Sequence, residues 1–443
     1  MKRKIVLSIA ASDTSGGAGI QADLKAFSYA GMRGLTIITC ITAQNERKVL
    51  SVYPLPTDVI EVQAEALLSK LKPDVTKIGM LYSKEIAECT ADLLKKYRIK
   101  KVVLDPVLSA STGDSLAKKD LVGSIKDNLL ELTYLITPNI SEAERLTGIK
   151  IKNIADMKQA AGLLIEGGAR NVLIKGGHLK GKDAMDVFFD GKEDGVLLLP
   201  KLEGNIYRGT GCILSSLIAA NLAKGKKLRE SIDLSKRILW SMMLNSYPLK
   251  GSKVRILGEP KDIDIPPKNL DRERFDVWLS LNSSVKRLIK ILPSSFIPEV
   301  GVNIGFALKN SKSREDVCAL KGRITRAKTY GVLKFGASKH IASIILTAMK
   351  FDKAIRSALN IRYSSDLIER IKSSGLIAYS FNREEEPEYA KSTMEWGVSH
   401  IIKKYNRIPD IIWDEGGMGK ESMIRILGKN PKEVIGKLKQ ILD

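Results

Sequence analysis

Residue types on which several classes of protein depend are scarce in this chain of 443 residues. Only 6% of the residues are aromatic, which leaves few side chains on which nucleic-acid bases can stack. The four cysteines, Cys40, Cys89, Cys212 and Cys318, have neither the spacing of a disulfide framework nor that of a zinc site. No apolar run reaches the roughly 18 residues that a membrane span needs. We therefore expect a globular protein of the reducing cytoplasm, without structural zinc and with no membrane partner.

The chain carries 72 lysines and arginines against 50 acidic residues, a formal net charge of +22. Such a balance first suggests a nucleic-acid partner. The basic residues are spread over both halves of the chain, however, and no basic tract stands alone. We therefore interpret the charge as a solvated basic surface that suits small, phosphate-rich substrates, and we expect nucleic acid not to be a main partner.

Short runs of Val, Ile and Leu alternate with longer amphipathic stretches in the first part of the chain, residues 1–250. This alternation predicts an α/β fold with a mostly parallel sheet and helices on both faces. The candidate strands are Lys4–Ala10, Gly34–Cys40, Val75–Ile78, Lys101–Leu104, Leu132–Ile136, Asn171–Ile174 and a pair near Asp186–Pro200. Residues 251–270, rich in Pro, Gly and Lys, predict a linker. Residues 271–443 then form a separate α/β domain.

Polar residues follow nearly every predicted strand of the first domain. In open α/β sheets, ligands bind beyond the carboxyl ends of the strands, so these residues are candidates for one site. They are Asp13, Gln44, Met80 (a soft wall for a ring), Asp105, Asn139 with Glu142, and Lys175. Asp13 can equally cap a turn, Met80 can be ordinary core and Lys175 an ordinary surface lysine. Carboxylates at two neighbouring strand ends can hold Mg²⁺, and Lys175 can neutralise a phosphate.

A glycine-flanked turn, Gly209-Thr210-Gly211-Cys212, leads directly into an apolar helix pattern. Glycines let backbone N–H groups converge, and the start of a helix supplies unpaired N–H groups with a positive dipole end. The turn by itself predicts only an anion site. With polar residues at so many strand ends, we expect it to bind a phosphoryl group.

These motifs, in chain order, resemble those of the hydroxymethylpyrimidine/phosphomethylpyrimidine kinases of thiamine biosynthesis, which belong to the ribokinase-like superfamily. The resemblance rests on 11–23 (ASDTSGGAGIQAD), 42–45 (TAQN), 105–107 (DPV), 137–139 (TPN), 175–178 (KGGH) and 209–212 (GTGC). It implies phosphorylation of hydroxymethylpyrimidine and then of its monophosphate, with ATP and Mg²⁺. A pyridoxal-type kinase is the alternative.

The resemblance also implies roles for individual residues. Cys212 is the catalytic base, and the helix start is expected to lower the pKa of its thiol; Gly209 and Gly211 steady the transferred phosphoryl group. The substrate contacts are Asp13, Ala18, Gly19, Thr42, Gln44, Met80 and Val107. Nucleotide contacts are Asp105, Asn139, Lys175 and Thr210, and the metal ligands are Asp105 and Glu142. Arg208 stands where the family usually has His, and an added cation there would favour the phosphorylated substrate; the sequence leaves this open.

The second domain has predicted strands at Asn303–Ala307, Gly331–Lys334, Leu376–Ser380 and Pro409–Asp414. Its predicted helices are Phe275–Ile291, Ser338–Lys350, Asp352–Ala358, Ser364–Ser373, Thr393–Tyr405 and Lys432–Leu442. Gly336 to His340 opens a helix on which phosphate can dock. The stretch from Asp414 to Glu421 is rich in glycine but lacks the spacing of a phosphate-binding P-loop.

The motifs of this domain resemble the ThiN family of thiamine-phosphate synthases. They are 298–305 (PEVGVNIG), 322–323 (GR), 335–340 (FGASKH), 393–397 (TMEWG) and 414–421 (DEGGMGKE). The resemblance implies coupling of hydroxymethylpyrimidine diphosphate to hydroxyethylthiazole phosphate, with Arg323 and His340 as catalytic residues and Asn303, Ser338 and Glu395 at the substrate. A ligand-sensing domain is the alternative. We further expect a homo-oligomer, a dimer.

Overall fold

The computed structural model describes residues 3–45, 48–110, 115–202, 204–249, 254–387, 392–417 and 419–442. The chain divides into two compact units, Met1–Lys261 (unit 1) and Asp262–Asp443 (unit 2). Within the described ranges, no helix is both long and apolar enough to cross a membrane.

Unit 1 is an α/β unit built on a nine-stranded sheet. Its strands are β1 (Ile5–Asp13), β2 (Arg33–Gln44), β3 (Val49–Pro54), β4 (Val75–Ile78), β5 (Val102–Leu104), β6 (Leu135–Ile136), β7 (Val172–Gly176), β8 (Asp183–Phe189) and β9 (Asp194–Pro200). Three short strands, β10 (Ile206–Tyr207), β11 (Tyr247–Pro248) and β12 (Val254–Ile256), form a second sheet in the order β10-β12-β11.

The helices of unit 1 alternate with the strands as predicted. They are α1 (Gly19–Tyr29), α2 (Thr57–Leu68), α3 (Lys84–Lys96), α4 (Leu121–Ser124, continued by a π-helical turn Ile125–Leu129), α5 (Ile140–Thr147), α6 (Ile154–Glu166), α7 (Thr210–Ala223) and α8 (Leu228–Leu244). Helix α7 buries eleven of its residues, Ile213 to Ala223, because its sequence is apolar or small on every side.

The strands of the main sheet lie in the order β3-β2-β1-β4-β5-β6-β7-β8-β9. Neighbouring strands are parallel across β2, β1, β4, β5, β6 and β7. Strands β3, β8 and β9 are antiparallel additions at the two edges. The predicted α/β class and mostly parallel sheet are confirmed. The inner strands β1, β4, β5, β6 and β7 are mostly buried and apolar because both of their faces are covered. The carboxyl ends of the parallel strands lie along one edge with the polar residues that follow them.

Unit 2 has a sheet of seven strands. They are β13 (Ile304–Ala307), β14 (Val317–Leu320), β15 (Leu333–Phe335), β16 (Ser357–Arg362), β17 (Ala378–Ser380), β18 (Ile411–Asp414) and β19 (Met423–Gly428), in the order β15-β14-β13-β16-β19-β18-β17. Among the described residues of the unit, β17 and β18 pair in parallel and the other neighbouring strands are antiparallel. The α-helices described in the unit are α9 (Arg272–Ile291), α10 (Lys339–Phe351), α11 (Ser365–Ser373), α12 (Thr393–Tyr405) and α13 (Pro431–Leu442).

The helix predicted over Asp352–Ala358 is wrong. Helix α10 ends at Phe351, and the chain then turns into β16, a central strand between β13 and β19. Five of the six β16 residues are buried, so the strand lacks the polar alternation by which a half-exposed strand is recognised.

The stretch predicted as a linker, 251–270, begins at residues 251–253, outside the described residues. Strand β12 lies within this stretch and pairs with β10 and β11 of unit 1. A 3₁₀ turn, Asp262–Asp264, then begins unit 2. Part of the stretch is therefore packed secondary structure.

Candidate active sites

Two glycine turns meet at the carboxyl edge of the main sheet of unit 1. Gly209 has φ +74°, and a Cβ atom placed on it would lie 1.9 Å from the carbonyl oxygen of Gly17. Gly19 has φ +59°, and its Cβ would lie 2.4 Å from the carbonyl oxygen of Ala11. Only glycine fits such close approach of two backbones. Helices α1 and α7 begin at this contact, and the Gly19 N–H donates to the Cys212 thiol.

Asp13 shapes the first of these turns. Its buried carboxylate accepts hydrogen bonds from the Ser15 and Ala18 backbone N–H groups, both at 2.8 Å, and from the Ser15 hydroxyl. A carboxylate with so many internal donors mainly orders the loop. The turn-capping reading of Asp13 therefore has direct support in the structure, whereas contact with a substrate stays a prediction.

Gln44 and Thr42 lie beside this loop, and both are engaged by neighbouring groups. The Gln44 Nε2 donates to the Thr42 hydroxyl at 2.9 Å, and the Gln44 Oε1 accepts from Arg208 Nη2 at 2.5 Å. Thr42 in turn donates to the Ser12 carbonyl oxygen at 2.9 Å. The amide of Gln44 is thus held in one orientation at the end of β2.

Lys175 and Asp105 form a close ion pair at the ends of β7 and β5, with Nζ and Oδ1 2.6 Å apart. Burial alone would raise the pKa of Asp105, but the charges of Lys175 and Lys77 outweigh it and hold this pKa below its usual value. The Lys175 ammonium is 3.1 Å from the place that a Cβ on Gly211 would occupy. The phosphate-binding turn and this ion pair are therefore adjacent.

Asn139 and Glu142 form a capping box at the start of α5. The Glu142 N–H donates to Asn139 Oδ1 at 2.9 Å, and the Asn139 N–H donates to Glu142 Oε2 at 2.7 Å. Burial raises the pKa of Glu142 to about 7; the charge of Lys175 opposes this shift and that of Asp105 adds to it. Within the described ranges, no group of three or more His, Cys, Asp or Glu side chains can hold a metal ion.

The expectation that the helix start lowers the pKa of Cys212 is wrong. Desolvation raises the pKa of its thiol to about 11, because protein atoms surround the sulfur more closely than the dipole of one helix end can offset. The charge of Lys77 and the N–H of Gly19 act in the opposite direction. A pKa of about 11 means that Cys212 is a protonated thiol near pH 7 in the ligand-free protein.

Lys77 and Asp23 form a buried ion pair that the sequence analysis did not identify. Lys77 Nζ lies 2.9 Å from both Asp23 carboxylate oxygens, and neither side chain is exposed to solvent. The hydroxyls of Ser8 and Ser216 donate to the same carboxylate, each at 2.6 Å. Ser216 lies one helical turn after Cys212, so the network supports the base of the phosphate-binding turn. A lysine at the centre of a buried strand was the available signal.

The remaining predicted residues of unit 1 lie along the same strand ends. The Met80 side chain is buried, and its carbonyl oxygen accepts from Thr39 at 2.7 Å. The Val107 N–H donates to the Asp105 carbonyl oxygen at 2.8 Å. Thr210 is the first residue of α7. Their roles at a ligand stay predictions.

A cleft of about 530 Å³ in unit 2 brings most of the predicted residues of that unit together. The cleft is lined by Asn303, Leu320, Gly322, Arg323, Ala337, Ser338, Lys339, His340, Ser343, Ser392, Thr393 and Met394. Ser338 caps α10 by accepting from the Ile341 N–H at 3.3 Å. The N-terminus of α10 therefore opens at the cleft.

The side chains of Asn303 and Glu395 both bond to neighbouring groups of unit 2, Asn303 within the lining of the cleft and Glu395 outside it. The Asn303 amide bonds to Leu320, accepting from its N–H and donating to its carbonyl oxygen, each at 3.1 Å. Glu395 is not among the lining residues, and its carboxylate pairs with Lys350 at 2.5 Å. The side chain of Asn303 thus fixes β14, and the substrate roles of both residues stay predictions.

His340 lies at the cleft among several positive charges. Partial desolvation, together with the charges of Arg425, Arg323 and Arg383, lowers the pKa of its imidazole to about 4, although one side of the residue is open to solvent. The opposing charge of Asp414 is smaller in effect. His340 is therefore neutral near pH 7.

Arg383, Arg425 and Asp414 form a charge cluster that lies close enough to His340 to shift the pKa of its imidazole. Arg425 Nη1 is 2.6 Å and Arg383 Nε is 2.5 Å from the Asp414 carboxylate, so two cations share one anion. Arg425 is fully buried, and its Nε and Nη2 have no hydrogen-bond partner within the described part of the chain. Arg425 lies inside the otherwise apolar strand β19, so the sequence pattern predicts no functional role for it.

Comparison with known proteins extends these observations. Residues 13–256 match the family model for phosphomethylpyrimidine kinase, and residues 280–440 match that for the thiamine-phosphate synthase ThiN. The chain belongs to the phosphomethylpyrimidine kinase family. In this chain a ThiN domain follows the kinase domain. The chain is similar over its whole length to the bifunctional thiamine biosynthesis protein ThiDN of Methanocaldococcus jannaschii. The two chains are 34% identical over 442 residues, which is 99% of this chain and 98% of the relative.

The kinase unit alone has relatives of both known sequence and known structure. A hydroxymethylpyrimidine/phosphomethylpyrimidine kinase of Aquifex aeolicus is 41% identical over 56% of this chain and 98% of its own length. A pyridoxal kinase of Bacillus subtilis, solved as an ADP complex, superposes with a TM-score of 0.54 at 34% identity over 58% of this chain and 98% of its own. The pyridoxal kinase of Staphylococcus aureus with AMP-PCP and pyridoxal gives a TM-score of 0.54 at 32% identity, over 58% and 93%. The ribokinase-like fold and the bifunctional architecture expected from the sequence are confirmed.

Proposed function

We propose that unit 1 phosphorylates hydroxymethylpyrimidine to its diphosphate with ATP, and that unit 2 couples this product to hydroxyethylthiazole phosphate to give thiamine phosphate. The observation that carries the kinase proposal is the contact of the Gly209–Cys212 turn with both the Gly16–Gly19 loop and the Lys175–Asp105 pair. Phosphoryl transfer depends mainly on positioning and charge neutralisation, and this contact supplies converging N–H groups and a cation.

In this proposal, Lys175 and the N–H groups at the start of α7 bind the transferred phosphoryl group. Cys212 accepts the proton of the substrate hydroxyl as the new bond to phosphorus forms. Before this step the thiol gives its own proton to solvent, to which Cys212 is partly exposed, and the charge of Lys77 and the N–H of Gly19 favour the resulting thiolate. Lys77 thus acts through Cys212 as a positioning residue. Gln44 reads the pyrimidine edge and Met80 packs against the ring.

Asp105 and Glu142 fit a magnesium site shared with the nucleotide phosphates. They follow the neighbouring strands β5 and β6, and the charge of Asp105 contributes to raising the pKa of Glu142 to about 7. Mg²⁺ prefers such oxygen ligands and keeps several waters, so two carboxylates suffice when phosphates and waters complete its shell. When bound, the ion neutralises charge on the phosphates.

In unit 2, we propose that Arg323 and His340 stabilise the departing pyrophosphate, with Lys339 and the α10 N-terminus at the same cleft. His340 enters the reaction neutral, and it can therefore donate a hydrogen bond without carrying charge. The buried pair Arg383 and Arg425 adds positive potential behind it.

The kinase proposal is tested by incubating the full chain with ATP–Mg²⁺ and, in parallel, hydroxymethylpyrimidine, its monophosphate or pyridoxal. We expect two successive phosphorylations of the pyrimidine. Pyridoxal is the competing substrate, since the superposing structures include pyridoxal kinases. A preference for pyridoxal would contradict the proposal. A cytoplasmic location, where ATP and these phosphorylated intermediates occur, belongs to the proposal, and the homodimer stays a prediction for light scattering to test.

A further inference from the structure

Arg208 is a buried cation that lies against two separate segments of unit 1, the end of β2 and the loop after β1. Its side chain is 5% exposed, and it immediately precedes the Gly209–Cys212 turn. Its Nη1 donates to the Asn45 carbonyl oxygen, and its Nη2 donates to Gln44 Oε1 at 2.5 Å. Nη2 also lies 3.7 Å from the Asp13 carboxylate.

The partners of Arg208 do not form a tight ion pair with it. Asp13 is beyond hydrogen-bond distance, and its carboxylate already accepts from Ser15 and Ala18. The direct partners of the guanidinium are neutral oxygens of Gln44 and Asn45. A buried guanidinium whose hydrogen bonds go to neutral oxygens gains from an anion that bonds to it directly, because charge-assisted hydrogen bonds are roughly twice as strong as neutral ones.

The position of Arg208 specifies which anion can reach it. When a pyrimidine monophosphate attacks the phosphoryl group held at the Gly209–Cys212 turn, its own phosphate lies beside that turn and therefore close to residue 208. The unphosphorylated alcohol has no anion to offer there. Gln44, which now accepts from Arg208, is also the residue proposed to read the pyrimidine edge.

We infer that Arg208 is a specificity-determining residue that favours the phosphorylated pyrimidine over the alcohol. The inference rests on the proposed kinase function of unit 1. The phosphomonoester takes the guanidinium from Gln44 Oε1, and the freed amide oxygen then becomes available to the pyrimidine ring. The alcohol leaves the Arg208–Gln44 bond in place, so it meets Gln44 with one acceptor already used. Arg208 thereby biases the site toward the second phosphorylation.

The test uses steady-state kinetics of the full chain with each pyrimidine at saturating ATP–Mg²⁺. Arg208→Gln removes the charge, and Arg208→Lys keeps it without the fork geometry. Arg229→Gln is the matched control, since Arg229 is a half-exposed surface arginine that pairs with Asp190 and Glu193. Nucleotide-free titration calorimetry with the monophosphate gives a readout that does not depend on turnover.

We expect Arg208→Gln to lower kcat/KM for the monophosphate about 10- to 100-fold, the loss typical of one or two charge-assisted hydrogen bonds. Most of that loss lies in KM and in the calorimetric Kd. For the alcohol the change stays within about threefold, Arg208→Lys is intermediate, and Arg229→Gln matches the wild type.

If Arg208→Gln and Arg208→Lys lowered kcat/KM equally for both substrates, the ratio of the two values would be unchanged and the inference would be overturned. Melting curves show whether each variant is folded. If Arg208→Gln fails to fold, the substrate preference of Arg208→Lys tests the inference. A wild-type chain that phosphorylates pyridoxal but neither pyrimidine would contradict the proposed function itself and the inference with it. That result is distinct, because it needs no variant.

Discussion

Removal of the Lys77 ammonium by Lys77→Met tests whether the buried ion pair beneath the phosphate-binding turn stabilises unit 1. The substitution leaves the Asp23 carboxylate buried without its cation. Breaking a buried pair from one side typically costs about 3–5 kcal/mol. Ser8 and Ser216 still donate to this carboxylate, each at 2.6 Å, so we expect the lower end, about 3 kcal/mol.

In a unit of this size, 1 kcal/mol shifts the melting temperature by about 2–4 °C, so the expected decrease is about 6–12 °C. Scanning calorimetry of the full chain measures it, and the transition of unit 1 is the one that ATP–Mg²⁺ raises. Lys4→Met is the matched control, because Lys4 pairs with Asp74 at 2.8 Å but both side chains are partly exposed. Such surface pairs contribute about 0–1 kcal/mol.

The double variant Asp23→Asn/Lys77→Met removes both charges and keeps an acceptor for the serine hydroxyls. It should recover at least about half of the lost stability, because the uncompensated charge is gone. If Lys77→Met melted no lower than Lys4→Met, or if the double variant were the least stable of the set, the stabilising role of this pair would be refuted.

Three further predictions concern the two sites. Cys212→Ala should lower the kinase kcat by about 10²–10⁴-fold while leaving coupling unchanged when the diphosphate is supplied; His340→Ala should do the reverse, and loss of both activities in either variant would contradict independent sites. Since the raised pKa of Glu142 is about 7, the Mg²⁺ concentration for half-maximal kinase activity should fall as the pH rises from 6 to 8, when this carboxylate loses its proton; Glu142→Gln should abolish that dependence, and an unchanged profile would count against Glu142 as a ligand. Because the pKa of His340 is lowered to about 4, its imidazole stays neutral from pH 5 to 8; a synthase pH profile with a limb near 6.5 that His340→Gln removes would contradict this.

Most strands of the main sheet of unit 1 could be predicted from the sequence because alternating apolar runs and amphipathic stretches indicate them. Strand β3 and the short strands β10, β11 and β12 were not predicted. The residues at the strand ends followed from the same rule, and Lys175, Asp105 and the Gly209–Cys212 turn do lie together. The hydrogen bonds that Gln44 and Asn303 form with residues distant in the chain could not be predicted, because such bonds leave no periodic signal in the sequence.

Electrostatics was the least predictable part. The helix start suggested a lowered pKa for Cys212, but the burial that reverses the shift comes from segments far away in the chain. Lys77 and Arg425 are charged residues inside apolar strands, where a sequence reading favours the apolar neighbours and passes over the charge. The strand β16 was missed for a related reason, since full burial removes alternation.

The most direct measurement is a single incubation of the full chain with hydroxymethylpyrimidine, hydroxyethylthiazole phosphate and ATP–Mg²⁺, followed by chromatography for thiamine phosphate. If both proposed sites act as described, the wild-type chain produces thiamine phosphate, and Cys212→Ala forms it at least about 100-fold more slowly until the pyrimidine diphosphate is added. With His340→Ala, the pyrimidine diphosphate accumulates. Pyrimidine diphosphate without thiamine phosphate from the wild-type chain would contradict the synthase role of unit 2.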